Sequence, residues 1–238
     1  VIYNAAREPE IVDLQALLRS MGARVNGAGG SIITVEGGAA LHGCTHRVIG
    51  DRIVCATYLC AAAAAGGEVR LTGVDYRAGS TVALSLAESG CEVRSEADAV
   101  SLRSTGALRS VRPVRTAPYP GFPTDAQPVL MAALLRSEGC TVFVENIFEN
   151  RYRHVDELSR MGAEIRVAGR VAVVNGVRTL HGAAVKCTDL RGGAALVIAG
   201  LSAEGTTRVT ELTHIDRGYD AIERDLAALG AQIRRETT

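Results

Sequence analysis

One unit of roughly 70 residues recurs three times in this chain, and that period constrains its fold more than any single motif does. A helix-ending phrase with a glycine, followed by a strand, appears four times: Met21-Gly22-Ala23-Arg24-Val25, Ser89-Gly90-Cys91-Glu92-Val93, Met161-Gly162-Ala163-Glu164-Ile165 and Leu229-Gly230-Ala231-Gln232-Ile233. Its glycines lie 68, 72 and 68 residues apart. A second phrase, a small-residue helix followed by glycine and a strand, keeps the same beat at Gly67-Glu68-Val69, Gly139-Cys140-Thr141-Val142 and Gly205-Thr206-Thr207-Arg208-Val209. The first copy lacks its front half. Only Val1 to Asn4 remains there, reading as the end of a strand without a partner, so the expectation is a piece of a longer protein.

Each copy alternates two kinds of helix. One is amphipathic: Ile11, Leu14, Leu17 and Leu18 recur at helical spacing, as do Ile222, Leu226 and Leu229. The other is apolar nearly all round, at Ile53 to Ala65, Val129 to Leu135 and Ala194 to Ala203, and a helix without a polar face belongs inside. Short β-branched strands such as Glu68 to Thr72 and Val171 to Val174 lie between, and hairpins are expected around 24–35, 92–102 and 164–174. The unit reads β-α-β-α-β-β. Three of them related by pseudo-threefold symmetry predict an α/β fold turned inside out, with a bundle of buried helices and the sheets outside.

Composition excludes several functions. Twenty-six acidic and twenty-six basic residues cancel without a long run of either sign, which disfavours a nucleic-acid surface or an anionic-membrane surface. Three Phe, six Tyr and no Trp leave little for stacking bases. The longest apolar run is too short for a membrane span. The six cysteines, Cys44, Cys55, Cys60, Cys91, Cys140 and Cys187, form no CxxC pair and no zinc spacing, and read as buried reduced thiols of a cytoplasmic protein. Neither a metal nor another cofactor is expected, and no glycine-rich phosphate loop opens a helix.

Candidate chemistry gathers where the apolar helices begin. Asp51, Asp125 and Asp189 each stand at such an entrance, where a carboxylate caps free N–H groups. Asp125 stands out because it follows Ala117-Pro118-Tyr119-Pro120-Gly121-Phe122-Pro123, a loop stiffened by three prolines. Arg7, Arg151 and Arg217 lead into amphipathic helices, and Arg52 and Arg191 open apolar ones. Arginines converging at one end suit a phosphate plus a carboxylate, which guanidinium binds bidentately. His42 and His181 share one place in two copies, each in a Leu-His-Gly phrase, and so read as packing or turn residues.

Five phrases carry a family resemblance: Asn4 to Asp13, Arg115-Thr116-Ala117-Pro118 with Phe122-Pro123-Thr124-Asp125, Ile147-Phe148-Glu149-Asn150-Arg151, Thr188-Asp189-Leu190-Arg191 and His214-Ile215-Asp216-Arg217-Gly218-Tyr219. Together, over essentially the whole chain, they resemble the UDP-N-acetylglucosamine 1-carboxyvinyltransferases, bacterial enolpyruvyl transferases that begin peptidoglycan precursor synthesis. The resemblance implies an inside-out α/β barrel in two lobes, each of three βαβαββ units. Residues 1–48 would be the tail of the first lobe and 49–238 most of the second, without its short amino-terminal segment.

The implied substrates are phosphoenolpyruvate and UDP-N-acetylglucosamine, joined by addition and then elimination with release of phosphate. Asp125 matches an aspartate beside the accepting hydroxyl, a candidate general base, and Arg191 and Arg217 match arginines facing phosphoenolpyruvate. Asp189 matches an acidic residue at the same site, Ile147 and Asp125 match positions on the UDP-sugar, and Arg151 joins the substrate-binding set. The family's Lys-Asn pair and its catalytic-cysteine loop have no counterpart here, so the missing amino-terminal half is the expected partner and the chain alone is expected to be inactive. A non-catalytic binding or regulatory relative is the alternative. The intact Phe-Pro-Thr-Asp, Thr-Asp-Leu-Arg and Asp-Arg-Gly phrases argue against it.

Overall fold

The computed structural model describes residues 1–236, except the side chains of 76–80. The first segment runs β1 (Ile2–Tyr3), α1 (Pro9–Ser20), β2 (Arg24–Asn26) and β3 (Ile32–Glu36). The second holds α2 (Arg52–Ala65), β4 (Gly67–Thr72), α3 (Tyr76–Glu88), β5 (Glu92–Ser95) and β6 (Ala99–Ser104). The third is the complete unit: β7 (Val114–Arg115), a 3-10 turn (Thr124–Ala126), α4 (Gln127–Ala133), β8 (Cys140–Val144), a second 3-10 turn (Arg151–His154), α5 (Val155–Arg160), β9 (Glu164–Ala168) and β10 (Val171–Asn175). The last holds β11 (Ala184–Lys186), α6 (Leu190–Leu201), β12 (Arg208–Thr210), α7 (Thr213–Asp216) and α8 (Ile222–Ala228).

The recurring glycine phrase is a helix stop. Gly22, Gly90, Gly162 and Gly230 all have φ between 91° and 110°, a conformation that costs a residue with a Cβ dearly. The amide after each glycine reaches back to close the helix: Ala23 to Leu18 O at 2.9 Å, Cys91 to Leu86 O at 3.0 Å, Ala163 to Leu158 O at 3.2 Å and Ala231 to Leu226 O at 3.0 Å. This is the Schellman closure, four times over.

Each stop turns the chain into a hairpin. β2 pairs with β3, β5 with β6 and β9 with β10, all antiparallel. The strands leading into and out of an apolar helix are parallel instead, as in β7 with β8 and β11 with β12. Among the described residues four separate sheets result, ordered β1-β3-β2, β4-β6-β5, β7-β8-β10-β9 and β11-β12, and no closed β-barrel forms among them. The apolar helices α2, α4 and α6 pack on one another in the middle. α4 is buried at every position, and α2 and α6 are alanine-rich, which lets the helices approach closely. No helix among the described residues is long and apolar enough to cross a membrane.

Three expectations need correction. The strand at Val1 to Asn4 has a partner, since Ile2 and Tyr3 pair with Ile33 and Ile32 of β3. Gln232-Ile233 forms no strand. Its counterparts β2, β5 and β9 each pair with the hairpin strand that follows, and no such strand follows here among the described residues. Cys44 and Cys140 are exposed, and only the other four thiols are buried. Cys140 opens β8 just after the Gly139 turn, where its side chain faces outward.

The shared place of His42 and His181 is structural. Their amides donate to Met21 O at 2.9 Å and Met161 O at 2.8 Å, and Arg109 does the same to Ser89 O at 3.0 Å in the copy that lacks the histidine.

Candidate active site

The three buried helices begin at one place, and the charged residues that open them meet there. Asp51 caps α2, accepting from the amides of Ile53 at 2.7 Å and Val54 at 3.0 Å. Asp189 caps α6 in the same way, taking Arg191 N at 3.0 Å and Gly192 N at 2.9 Å. A carboxylate there answers both the free amides and the positive end of the helix dipole. These two aspartates are caps, as local sequence suggested.

Asp125 is not a cap. The loop before it closes on itself through Ala117 N to Phe122 O at 3.0 Å and Gly121 N to Pro118 O at 2.8 Å, and Asp125 then falls in the 3-10 turn ahead of α4. Its carboxylate faces two guanidiniums instead. Arg151 Nη2 donates to Oδ1 at 2.8 Å and Arg191 Nη2 to Oδ2 at 3.3 Å. The Asp125 side chain keeps 40% of its exposure, whereas those of Arg151 and Arg191 keep 7% and 13%. The acceptor stays reachable while its cations are fixed from behind.

Each arginine is braced in turn. Arg151 Nε donates to Thr124 Oγ1 at 3.2 Å, and its guanidinium lies over the Phe148 ring at 4.4 Å. Arg191 Nη1 donates to the Tyr219 hydroxyl at 3.1 Å, within 2.9 Å of Thr57 Oγ1, and Thr57 donates to Ile53 O at 2.9 Å. That chain of polar groups joins the start of α6 to the middle of α2. Arg191 Nε is buried without a hydrogen-bond partner among the described residues. On the far side Arg52 makes a two-pronged pair with Glu10, at 3.2 and 2.9 Å, and lies over the Tyr119 ring. Burial pushes the Glu10 carboxyl up, but Arg52 outweighs it and holds Glu10 below the usual carboxylate range.

The structure therefore brings together Asp125, Arg151 and Arg191, with Asp189 one turn away as the cap beneath Arg191. Ile147, 45% exposed, lies on the turn after β8 that also carries Phe148, whose ring faces Arg151. Arg217 is not joined to this cluster. It is exposed at the end of α7 and makes no side-chain hydrogen bond or ion pair among the described residues. Arg7 is likewise exposed. None of the four buried cysteines is a poised nucleophile: burial raises the Cys55 thiol to about 12 and the Cys187 thiol to about 11, and it raises Cys60 and Cys91 too.

Sequence reasoning missed three members of this site. Glu145 is a buried carboxylate directly after β8, a mostly apolar strand, a pattern that could have flagged it. Tyr219 lay in a quoted phrase but was given no role. His154 is wholly buried against the first turn of α6, where a Cβ on Gly192 would come within 2.9 Å of the His154 Cβ.

His154 Nδ1 lies 3.1 Å from Arg151 O, and a carbonyl only accepts, so Nδ1 carries the proton. Burial, the largest influence, depresses the imidazole to about 4. An unfolded histidine takes up its proton near pH 6.5. This contribution to stability is therefore complete above pH 6.5 and is lost as pH falls toward 4, on the order of 3 kcal/mol in all. Melting temperatures across that window should drop less steeply for His154→Gln than for wild type. Parallel curves would assign the acid sensitivity to other groups.

The scaffold of repeated α/β units gathers arginines and a reachable carboxylate near the starts of its buried helices, an arrangement that can receive an anionic ligand. The profile of the EPSP synthase family (3-phosphoshikimate 1-carboxyvinyltransferase) matches residues 1–226, and the chain belongs to that family. It is 53% identical over 234 residues to the UDP-N-acetylglucosamine 1-carboxyvinyltransferase of Gluconacetobacter diazotrophicus, covering 98% of this chain and 56% of that protein. The protein of the same description from Zymomonas mobilis is 50% identical over 235 residues, with 99% and 55% covered. Among solved structures, the enolpyruvyl transferase NikO from Streptomyces tendae superposes with a TM-score of 0.82 at 30% identity, over 98% of this chain and 55% of that one. The chain thus spans about half the length of the curated relatives it matches.

Proposed function

We propose that this chain supplies half of a UDP-N-acetylglucosamine 1-carboxyvinyltransferase, with residues 1–48 ending one lobe and 49–238 forming most of the other. The observation that carries this reading is the Asp125 carboxylate, held between Arg151 and Arg191 at 2.8 and 3.3 Å yet open to a ligand. The family profile bears the name of the shikimate branch, whereas the relatives at 53% and 50% identity bear the UDP-sugar name.

In the addition step the sugar 3′-hydroxyl bonds to C2 of phosphoenolpyruvate while C3 takes up a proton. Asp125 accepts the hydroxyl proton. In the elimination step C3 gives up a proton and phosphate leaves C2, restoring the enol ether. Arg191 and Arg217, the second exposed at the end of α7, neutralise the phosphate and carboxylate of phosphoenolpyruvate. Asp189 acts by fixing the turn that carries Arg191. Ile147 and Arg151 line the sugar-nucleotide side. Both lobes must close over the substrates to exclude water. The same reading assigns the reaction to the cytoplasm.

Two measurements test the reading. The 238-residue chain alone should release no phosphate from phosphoenolpyruvate and UDP-N-acetylglucosamine, nor gain a fosfomycin adduct by intact mass, because the resemblance assigns the Lys-Asn pair and reactive cysteine to the other half. Turnover near 1 per second, roughly that of whole enzymes, would overturn the assignment. In the full-length enzyme Arg217→Lys should raise the KM for phosphoenolpyruvate or lower kcat, since a point charge does not reproduce a guanidinium fork. Melting should hardly change, because Arg217 is exposed and makes no side-chain hydrogen bond or ion pair among the described residues. A lowered melting temperature with normal kinetics would make Arg217 part of the scaffold.

A further inference from the structure

We infer that Glu145 is a positioning residue, the brace that locks the loop bearing Asp125 to the turn bearing Ile147. The inference rests on the proposed function for its kinetic consequence, but its geometry stands alone. Only 1% of Glu145 is exposed, and a buried carboxylate must be satisfied by donors or it is costly. It takes four. Oε1 accepts from the Thr116 hydroxyl at 2.8 Å and from the amides of Ile147 and Phe148, both at 2.9 Å. Oε2 accepts from the Thr124 hydroxyl at 3.0 Å.

These donors come from separate stretches. Thr116 opens the proline loop and Thr124 closes it, immediately before Asp125, while Ile147 and Phe148 form the turn after β8. Both threonines pass the constraint on. Thr116 Oγ1 accepts from Asn146 N at 2.8 Å, and Thr124 Oγ1 accepts from Arg151 Nε at 3.2 Å. Glu145 thus fixes, through one intervening hydroxyl, the guanidinium that holds Asp125. A residue serving only the strand end would need to bond only its own turn. This one also takes the hydroxyls at both ends of the proline loop, Thr116 on Oε1 and Thr124 on Oε2. Misplacing a base by about 1 Å can cost on the order of 100-fold in rate, so such a brace matters to turnover without touching substrate.

The test is a double-mutant cycle in the full-length enzyme with Glu145→Gln and Thr124→Val. Glu145→Gln should lower kcat about tenfold and leave the KM for phosphoenolpyruvate within about twofold, the pattern of lost alignment rather than lost binding. Thr124→Val should do much the same. If the carboxylate acts through that hydroxyl, the double variant should be hardly worse than either single one. Multiplying losses would overturn the coupling. So would a lowered melting temperature with kcat per folded molecule unchanged.

Should the wild-type enzyme fail to use phosphoenolpyruvate and UDP-N-acetylglucosamine at all, the functional reading falls but the brace is still measurable. Amide hydrogen exchange at Ile147 and Phe148 should then quicken at least about tenfold in Glu145→Ala while Val142 in β8 stays protected. Unchanged exchange at both amides would sink the inference.

Discussion

In the full-length enzyme Asp125→Asn is expected to lower kcat by about 100- to 10,000-fold, the usual worth of a general base, or roughly 3 to 5 kcal/mol of barrier. A carboxamide cannot take the proton from the sugar hydroxyl. UDP-N-acetylglucosamine affinity should change only modestly, because size and one acceptor oxygen are kept. The stability cost follows from the two arginines. Asn caps a helix as well as Asp does, so a capping role would have predicted almost no loss. Asp125 instead pairs with Arg151 and Arg191, both mostly buried. Replacing its charge should cost about 1 to 2 kcal/mol, moderated by its partial exposure. Normal turnover with lowered melting would reduce Asp125 to an anchor for Arg151 and remove it from the chemistry.

Gly193→Ala should produce the second large effect, on both stability and substrate. Gly193 lies in the first turns of α6, and an added Cβ would sit 2.2 Å from Cys187 Sγ and 2.6 Å from Ile215 Cγ1. Overpacking of this kind costs about 1 to 3 kcal/mol, less about 1 kcal/mol recovered by removing a glycine from a helix. Ile215 belongs to α7, and Arg217 follows directly after that helix. Pushing α7 outward should therefore carry Arg217 with it and raise the KM for phosphoenolpyruvate about tenfold or more. Cys187→Ala in the same molecule relieves one of the two clashes and should restore part of both losses. Unchanged KM in Gly193→Ala would show that α7 does not set the place of Arg217.

Most of the architecture was legible because its determinants are local. A glycine at the end of a helix, with the amide beyond it reaching back five residues, is written within one short phrase. The apolar helices announced themselves through the absence of a polar face. Gln232-Ile233 misled for a physical reason: a strand is half of a pair, and its sequence says nothing about whether the other half is there. The site was legible as a set of residues but not as a set of bonds. Asp51, Asp125 and Asp189 all stand at helix entrances in sequence, and only Asp51 and Asp189 cap. Asp125 differs because of Arg151 and Arg191, which stand 26 and 66 positions further along. Glu145 escaped because its place depends on two hydroxyls far back in the chain, Thr116 and Thr124, 29 and 21 positions away.

The arrangement of hairpins around a central bundle also bears on how this chain comes together. Each hairpin closes a short loop, such as Asn26 with Thr34, Ser95 with Val100 or Ala168 with Val171, so its entropic toll is small. The bundle is different. α2 and α6 are neighbours although they begin more than a hundred residues apart in the chain, and contacts of that span slow folding. The long-range topology is thus concentrated in the helices at whose starts Asp51, Arg52, Asp125, Asp189 and Arg191 stand. The candidate site therefore depends on the bundle: a chain with its hairpins formed but its bundle unmade would lack the contact between Asp125 and Arg191.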